Sequence, residues 1–89
     1  KALIERGSPI YVTFDLDGLD PADIPGTGTP EPDGLRFGWV EAVLGQLARA
    51  PRPLVGVDLV ELAPALDPTG RSPVAAARLC RTLLLGLMR

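Results

Sequence analysis

The pattern of apolar residues predicts an α/β fold, read as one end of a larger parallel sheet. Three observations carry this. Two short β-rich runs each precede a longer stretch with helical periodicity, and such alternation implies parallel strands joined by a right-handed crossover. The 89 residues are 46% hydrophobic, enough for a core but for one small domain at most. Two parallel strands with two helices also leave sheet edges and helix faces uncovered. Residues 1–89 are therefore expected to form a single incomplete domain.

Ala2 to Arg6 read as the last turns of a helix that started earlier. Ile10 to Phe14, Ile-Tyr-Val-Thr-Phe, is nearly all apolar and rich in β-formers, which predicts a strand buried on both faces. Residues 18–34, GLDPADIPGTGTPEPDG, form a Gly- and Pro-rich loop, and a loop of that length in a compact domain is usually functional. Val40, Val43, Leu44, Leu47 and Ala48 then make one helical stripe, with Phe37 and Trp39 packing at its start. Pro51-Arg52-Pro53 stops that helix. Leu54 to Leu62 predicts a second strand, with Val55, Val57 and Leu59 on one face and Asp58 and Val60 on the other. The last helix is expected to start with Ser72 as N-cap and Pro73 in its first turn, and to bury Ala76, Ala77, Cys80, Leu83, Leu84 and Leu87. Arg78, Arg81 and Arg89 fall on its exposed side or end.

Composition excludes several functions. Nine Lys and Arg against eleven Asp and Glu leave a net charge of -2, with no basic stripe for nucleic acid and no cationic face for lipid. No apolar run approaches the roughly 20 residues that a membrane span needs. The single Cys80 excludes an internal disulfide. With no secretory signal at the start, it suits a reducing cytoplasm.

Asp15 and Asp17 close the first strand. In an extended chain, residues two apart point to one side, so both carboxylates would emerge together at the strand's C-terminal end, where ligands of open α/β sheets sit. Such a pair repels itself, and a hard divalent cation relieves the repulsion. Asp20-Pro21 reads as a turn, with Asp20 bracing the loop. Pro25-Gly26-Thr27-Gly28-Thr29-Pro30 is stiff, allows close backbone approach and offers two hydroxyls, but it lacks the Lys-Ser/Thr and following helix of a P-loop. Glu61 ends the second strand, and a carboxylate there could clamp a planar guanidinium bidentately or simply face solvent. Asp58 reads as a carboxylate with an unseen partner.

Two joined segments carry a resemblance. Thr13-Phe14-Asp15-Leu16-Asp17-Gly18-Leu19-Asp20-Pro21, followed by Pro25-Gly26-Thr27-Gly28-Thr29-Pro30, resembles the S-F-D-x-D-x-x-D-P and P-G-T-G-T-P signature of the ureohydrolases, the arginase/agmatinase family. Val57 to Pro64, with Asp67 beyond, is similar to that family's later G-x-D-x-V-E-x-x-P segment. Gly26 makes the loop look agmatinase-like, since arginases tend to have Ala there. The resemblance covers the chain from about Pro9 onward and implies the C-terminal part of a three-layer α/β/α sandwich, assembled as trimers or hexamers in a cytoplasmic enzyme of polyamine metabolism. It implies two Mn2+ ions, whose bridging hydroxide attacks a guanidino substrate such as agmatine to release urea. It further implies that Asp15 and Asp17 are metal ligands, that Glu61 grips the guanidinium and that Thr29 lines the site. The family also needs an isolated histidine and a D-x-H-x-D segment, whereas this sequence has no histidine. Two ligands cannot hold two octahedral ions, so the 89 residues alone are expected to hold no catalytic residue and to be inactive. Arg36 stands where relatives often cap a helix with Ser or Thr, and Asp33 is the substitute cap expected here.

Two other readings compete. Phe14-Asp15-Leu16-Asp17-Gly18 also resembles the nucleophile motif of haloacid-dehalogenase-type phosphatases, although Leu19 replaces the Thr expected next. Alternatively, the chain is a non-catalytic remnant or a subunit that needs a second chain.

Overall fold

A computed structural model describes residues 8–51 and 54–88. It contains β1 (Ile10–Asp15), α1 (Phe37–Arg49), β2 (Leu54–Val60) and α2 (Arg71–Leu87), with 3-10 turns at Leu16–Gly18 and Pro64–Leu66. The strands pair in parallel, as the alternation predicts. The expected N-terminal helix turns, Arg52-Pro53 and Arg89 lie outside the described residues.

Both helices pack on one face of the sheet. Val12 from β1, Val40 and Leu44 from α1, Leu54 from β2 and Leu79 and Leu83 from α2 share one buried cluster, with Ile10, Phe14, Val57 and Leu59 packed against it. Fully burying one such side chain stabilises by about 1.5–3 kcal/mol. The expectation that β1 is buried on both faces fails here: Tyr11 is 60% exposed and Thr13 is exposed, because neither helix covers the opposite face. On that open face the Tyr11 ring lies over Gly56, where a Cβ would come within 2.5 Å of it. Asp58 has its partners there, accepting from Tyr11 Oη at 3.0 Å and Thr13 Oγ1 at 2.6 Å. The Asp58 carboxylate also raises the Tyr11 pKa above its ordinary value, chiefly through that hydrogen bond.

The second strand differs from its simple alternation. Ile10 pairs with Leu54 but Tyr11 pairs with Gly56, so Val55 is an extra residue in the ladder. Such an irregularity shifts the parity of the strand. Leu54 is thereby buried, Val57 and Leu59 pack partly buried against the same core, and Val55 is left 60% exposed. The strand stops at Val60, two residues short of its expected end.

In α1, Val40, Leu44 and Ala48 are buried as the stripe requires and Phe37 packs against the core, but Trp39 is 58% exposed. In α2 the buried face is Ser72, Ala76, Leu79, Leu83 and Gly86, with Cys80 and Leu87 partly covered. Ala77 and Leu84, expected in that face, are exposed: Gly86 fits directly against Ala48, which turns α2 about its axis. Arg78 reaches across to α1, donating from Nε to Glu41 Oε2 at 2.5 Å, and lies 5.9 Å from the centre of the Phe37 ring. Among the described residues no helix is long and apolar enough to cross a membrane.

Candidate functional site

Three segments meet at the C-terminal edge of the sheet: the turn after β1, the Pro25–Pro30 loop and the exit from β2. Asp15 pairs with Val60 across the ladder, so Glu61 follows directly on the residue opposite Asp15. The extended D-x-D geometry ends there. Leu16–Gly18 forms a 3-10 turn closed by Leu19 N donating to Leu16 O at 3.1 Å. Residues three apart eclipse in a 3-10 turn, and Leu16 and Leu19 are both buried at 1% exposure. Burial of this leucine pair overrides strand alternation, so Asp17 sits on a turn and not two residues along a strand.

Asp17 is tied to the Pro-Gly loop. Thr29 Oγ1 donates to Asp17 Oδ2 at 2.8 Å. Asp15 is exposed and Asp17 half-buried. Their oxygens are the hard donors that a divalent cation takes, and with Thr29 holding one Asp17 oxygen the carboxylate is oriented. The fit is one of kind and not of number: among the described residues no group of three or more His, Cys, Asp or Glu side chains could hold a metal ion. Glu61 is exposed and has φ of +72°. That left-handed backbone is uncommon outside glycine, and such outliers cluster at functional sites.

The loop is fastened at several points. Asp20 braces it as expected, its Oδ1 accepting from Ala22 N at 2.8 Å. Asp20 N donates to Leu35 O at 2.8 Å and Leu35 N to Gly18 O at 2.9 Å, closing the loop's base. Gly34 permits that closure, because a Cβ there would meet Asp20 N at 2.6 Å. Ile24 is buried beneath the loop. Gly26 N donates to the buried Ser72 Oγ at 2.8 Å, and Ala63 N donates to Gly26 O at 2.6 Å. The glycine read as agmatinase-like thus has a local cause: a Cβ on it would lie 2.9 Å from Ser72 Cβ and Oγ. Next to it, Thr27 is buried at 2% exposure and its Oγ1 has no hydrogen-bond partner among the described residues.

Both helix caps differ from expectation. Asp33 does not cap α1; Asp23 does, its Oδ2 accepting from Phe37 N at 2.8 Å while Arg36 grips the same carboxylate at 2.9 and 3.1 Å. The arginine, then the helix amide, hold the Asp23 pKa below its ordinary value. Ser72 is not the N-cap of α2, which is Gly70, but a fully buried residue of the first turn. The capping carboxylate is Asp67, whose Oδ2 accepts from Ser72 N at 2.7 Å and whose Oδ1 accepts from Thr69 N and Oγ1 at 2.9 and 2.5 Å. Hydrogen bonds from Ser72 and Thr69 drive the Asp67 carboxyl well below the ordinary carboxylate range. Sequence reasoning noted Asp67 only within a motif and missed its link to the loop. The available signal was Asp67-Pro68-Thr69, an Asx-turn pattern directly before a helix.

Comparison with known proteins agrees with these motifs. A model of the arginase family matches residues 1–86. The agmatinase of Halalkalibacterium halodurans is 44% identical over 80 residues, 90% of this chain and 28% of that enzyme. The guanidinobutyrase of Pseudomonas aeruginosa is 43% identical over 79 residues, 88% of this chain and 24% of its own length. Among solved structures, the proclavaminate amidino hydrolase of Streptomyces clavuligerus matches with a TM-score of 0.84 at 36% identity, covering 92% of this chain and 27% of that one. The chain thus spans less than a third of the length of the relatives it matches. The phosphatase reading gains no support, and Leu19, where that motif needs Thr, is a core residue.

Proposed function

The chain belongs to the arginase family, and on that premise we propose that it supplies the C-terminal portion of an agmatinase-like active site that hydrolyses a linear guanidino compound to urea and an amine. The observation that carries the proposal is the seating of Asp15, Asp17, Thr29 and Glu61 on segments that meet at one sheet edge. Asp15 and Asp17 are assigned as two of the ligands of a manganese pair. Bound there, such ions supply Lewis acidity and an activated water. Thr29 fixes the Asp17 rotamer through Oδ2. Glu61 takes the guanidinium, whose planar fork donates two parallel hydrogen bonds to a carboxylate.

Histidine and further aspartate ligands would come from outside these 89 residues, so the isolated chain is proposed to be inactive. A single incomplete domain, a trimeric or hexameric assembly and a cytoplasmic location in polyamine metabolism belong to the same proposal. The agmatinase and guanidinobutyrase names of the relatives direct the choice of substrates. The test is urea release from agmatine and from 4-guanidinobutyrate by the intact protein supplied with Mn2+. Urea from either, lost in Asp17→Asn, is expected. No urea from any guanidino compound overturns the proposal and leaves a non-catalytic member of the family.

A further inference from the structure

We propose that Asp67 and Ser72 are positioning residues that act through the Gly26–Thr29 turn to set the Asp17 carboxylate, an inference that rests on the reading of Asp17 as a metal ligand. The contacts form one continuous path. Asp67, 5% exposed, holds the Ser72 amide at 2.7 Å. The Ser72 hydroxyl in turn accepts from Gly26 N, 2.8 Å away. Gly26 is held from its other side by Ala63 N, two residues beyond Glu61. Three residues after Gly26, Thr29 Oγ1 meets Asp17 Oδ2 at 2.8 Å.

Each link is constrained. Ser72 has 0% exposure and sits in the first turn of α2, so it cannot follow a loop that drifts. The space between Ser72 and Gly26 is too small for a methyl group, so the loop cannot approach further. The loop height, and with it the Thr29 hydroxyl, is therefore set by a helix that, among the described residues, makes no hydrogen bond to either proposed metal ligand. Groups that orient metal ligands from behind typically change metal affinity 10–100-fold when removed.

The test is calorimetric titration of the metal-free intact protein with MnCl2, using Ser72→Ala, Thr29→Val and the double variant. Each single variant is expected to weaken Mn2+ binding by about tenfold or more. The double variant is expected to lie within about threefold of the weaker single, because both changes cut one path. Multiplying effects overturn the inference in favour of a general structural role, as does Ser72→Ala binding within about twofold of the wild type. Should Ser72→Ala not fold, Ser72→Cys keeps the volume but weakens the acceptor. An intermediate loss of affinity is then expected, and wild-type affinity overturns the inference. A wild-type protein that binds no Mn2+ overturns the metal reading itself, whereas Mn2+ binding indifferent to Ser72 overturns only this extension.

Discussion

Gly26→Ala is the sharpest perturbation of the loop. The added Cβ would stand 2.9 Å from Ser72 Cβ and Oγ and 3.1 Å from Ala63 O. Favourable carbon–carbon contact lies near 3.5–4.0 Å, so the chain must open by roughly half an ångström or more. Nothing nearby swings aside. Ser72 is in the first turn of α2 with its amide bonded to Asp67, and Ala63 O is backbone. The opening strains the bonds that Gly26 makes to Ser72 and Ala63. Losing one buried hydrogen bond and stranding its partner costs about 1–3 kcal/mol. The lower unfolded-state entropy of Ala returns about 0.4–1 kcal/mol, so the expected net loss is about 1–2 kcal/mol. Urea denaturation of the intact protein should show a lower midpoint with an unchanged slope. In a Ser72→Gly background the same substitution should cost less, because both 2.9 Å contacts are gone and only the 3.1 Å approach to Ala63 O remains. A stabilised Gly26→Ala variant, or an equal cost in both backgrounds, would refute the reasoning.

Other consequences can be measured alongside. Thr27→Val removes a buried hydroxyl that has no partner among the described residues, and should raise stability by up to about 1 kcal/mol; a loss of that size would instead reveal a partner outside them. The Asp67 carboxyl is depressed from its ordinary value of 3.8, so its contribution is fully present above that pH and is lost as pH falls toward the folded-state value. Acid titration should therefore show stability declining below about pH 4, with a shallower decline in Asp67→Asn; an unchanged slope would contradict the capping assignment. Asp23→Ala removes the α1 cap and the partner of Arg36, and should cost about 0.5–2 kcal/mol by urea midpoint. Leu83→Ala, at 0% exposure in the shared core, should cost about 2–5 kcal/mol, and a smaller loss would show that the helix layer is loosely packed.

The parts of the fold that were legible in the sequence are those governed by local periodicity. The parallel pair, the α1 stripe and the Asp20 brace all follow from spacings within a few residues. What escaped was set by contacts distant in sequence. Asp23 caps a helix 14 residues ahead, and Ser72 meets Gly26 across 46 residues. The Val55 irregularity arises because Tyr11 pairs with Gly56, a cross-strand match that one strand alone cannot encode. At the candidate site, the sheet edge shared by Asp15 and Glu61 was readable. The local geometry at Asp17 was not, because burial of Leu16 and Leu19 forces a turn where alternation predicts a strand.

Anomalous diffraction at the manganese edge, from crystals of the intact protein grown with Mn2+, reaches the core assignment most directly. A manganese peak coordinated by oxygens of both Asp15 and Asp17, with Glu61 facing it across an open pocket, is the predicted result. A peak held elsewhere, or none at these carboxylates in protein that releases urea, would contradict it.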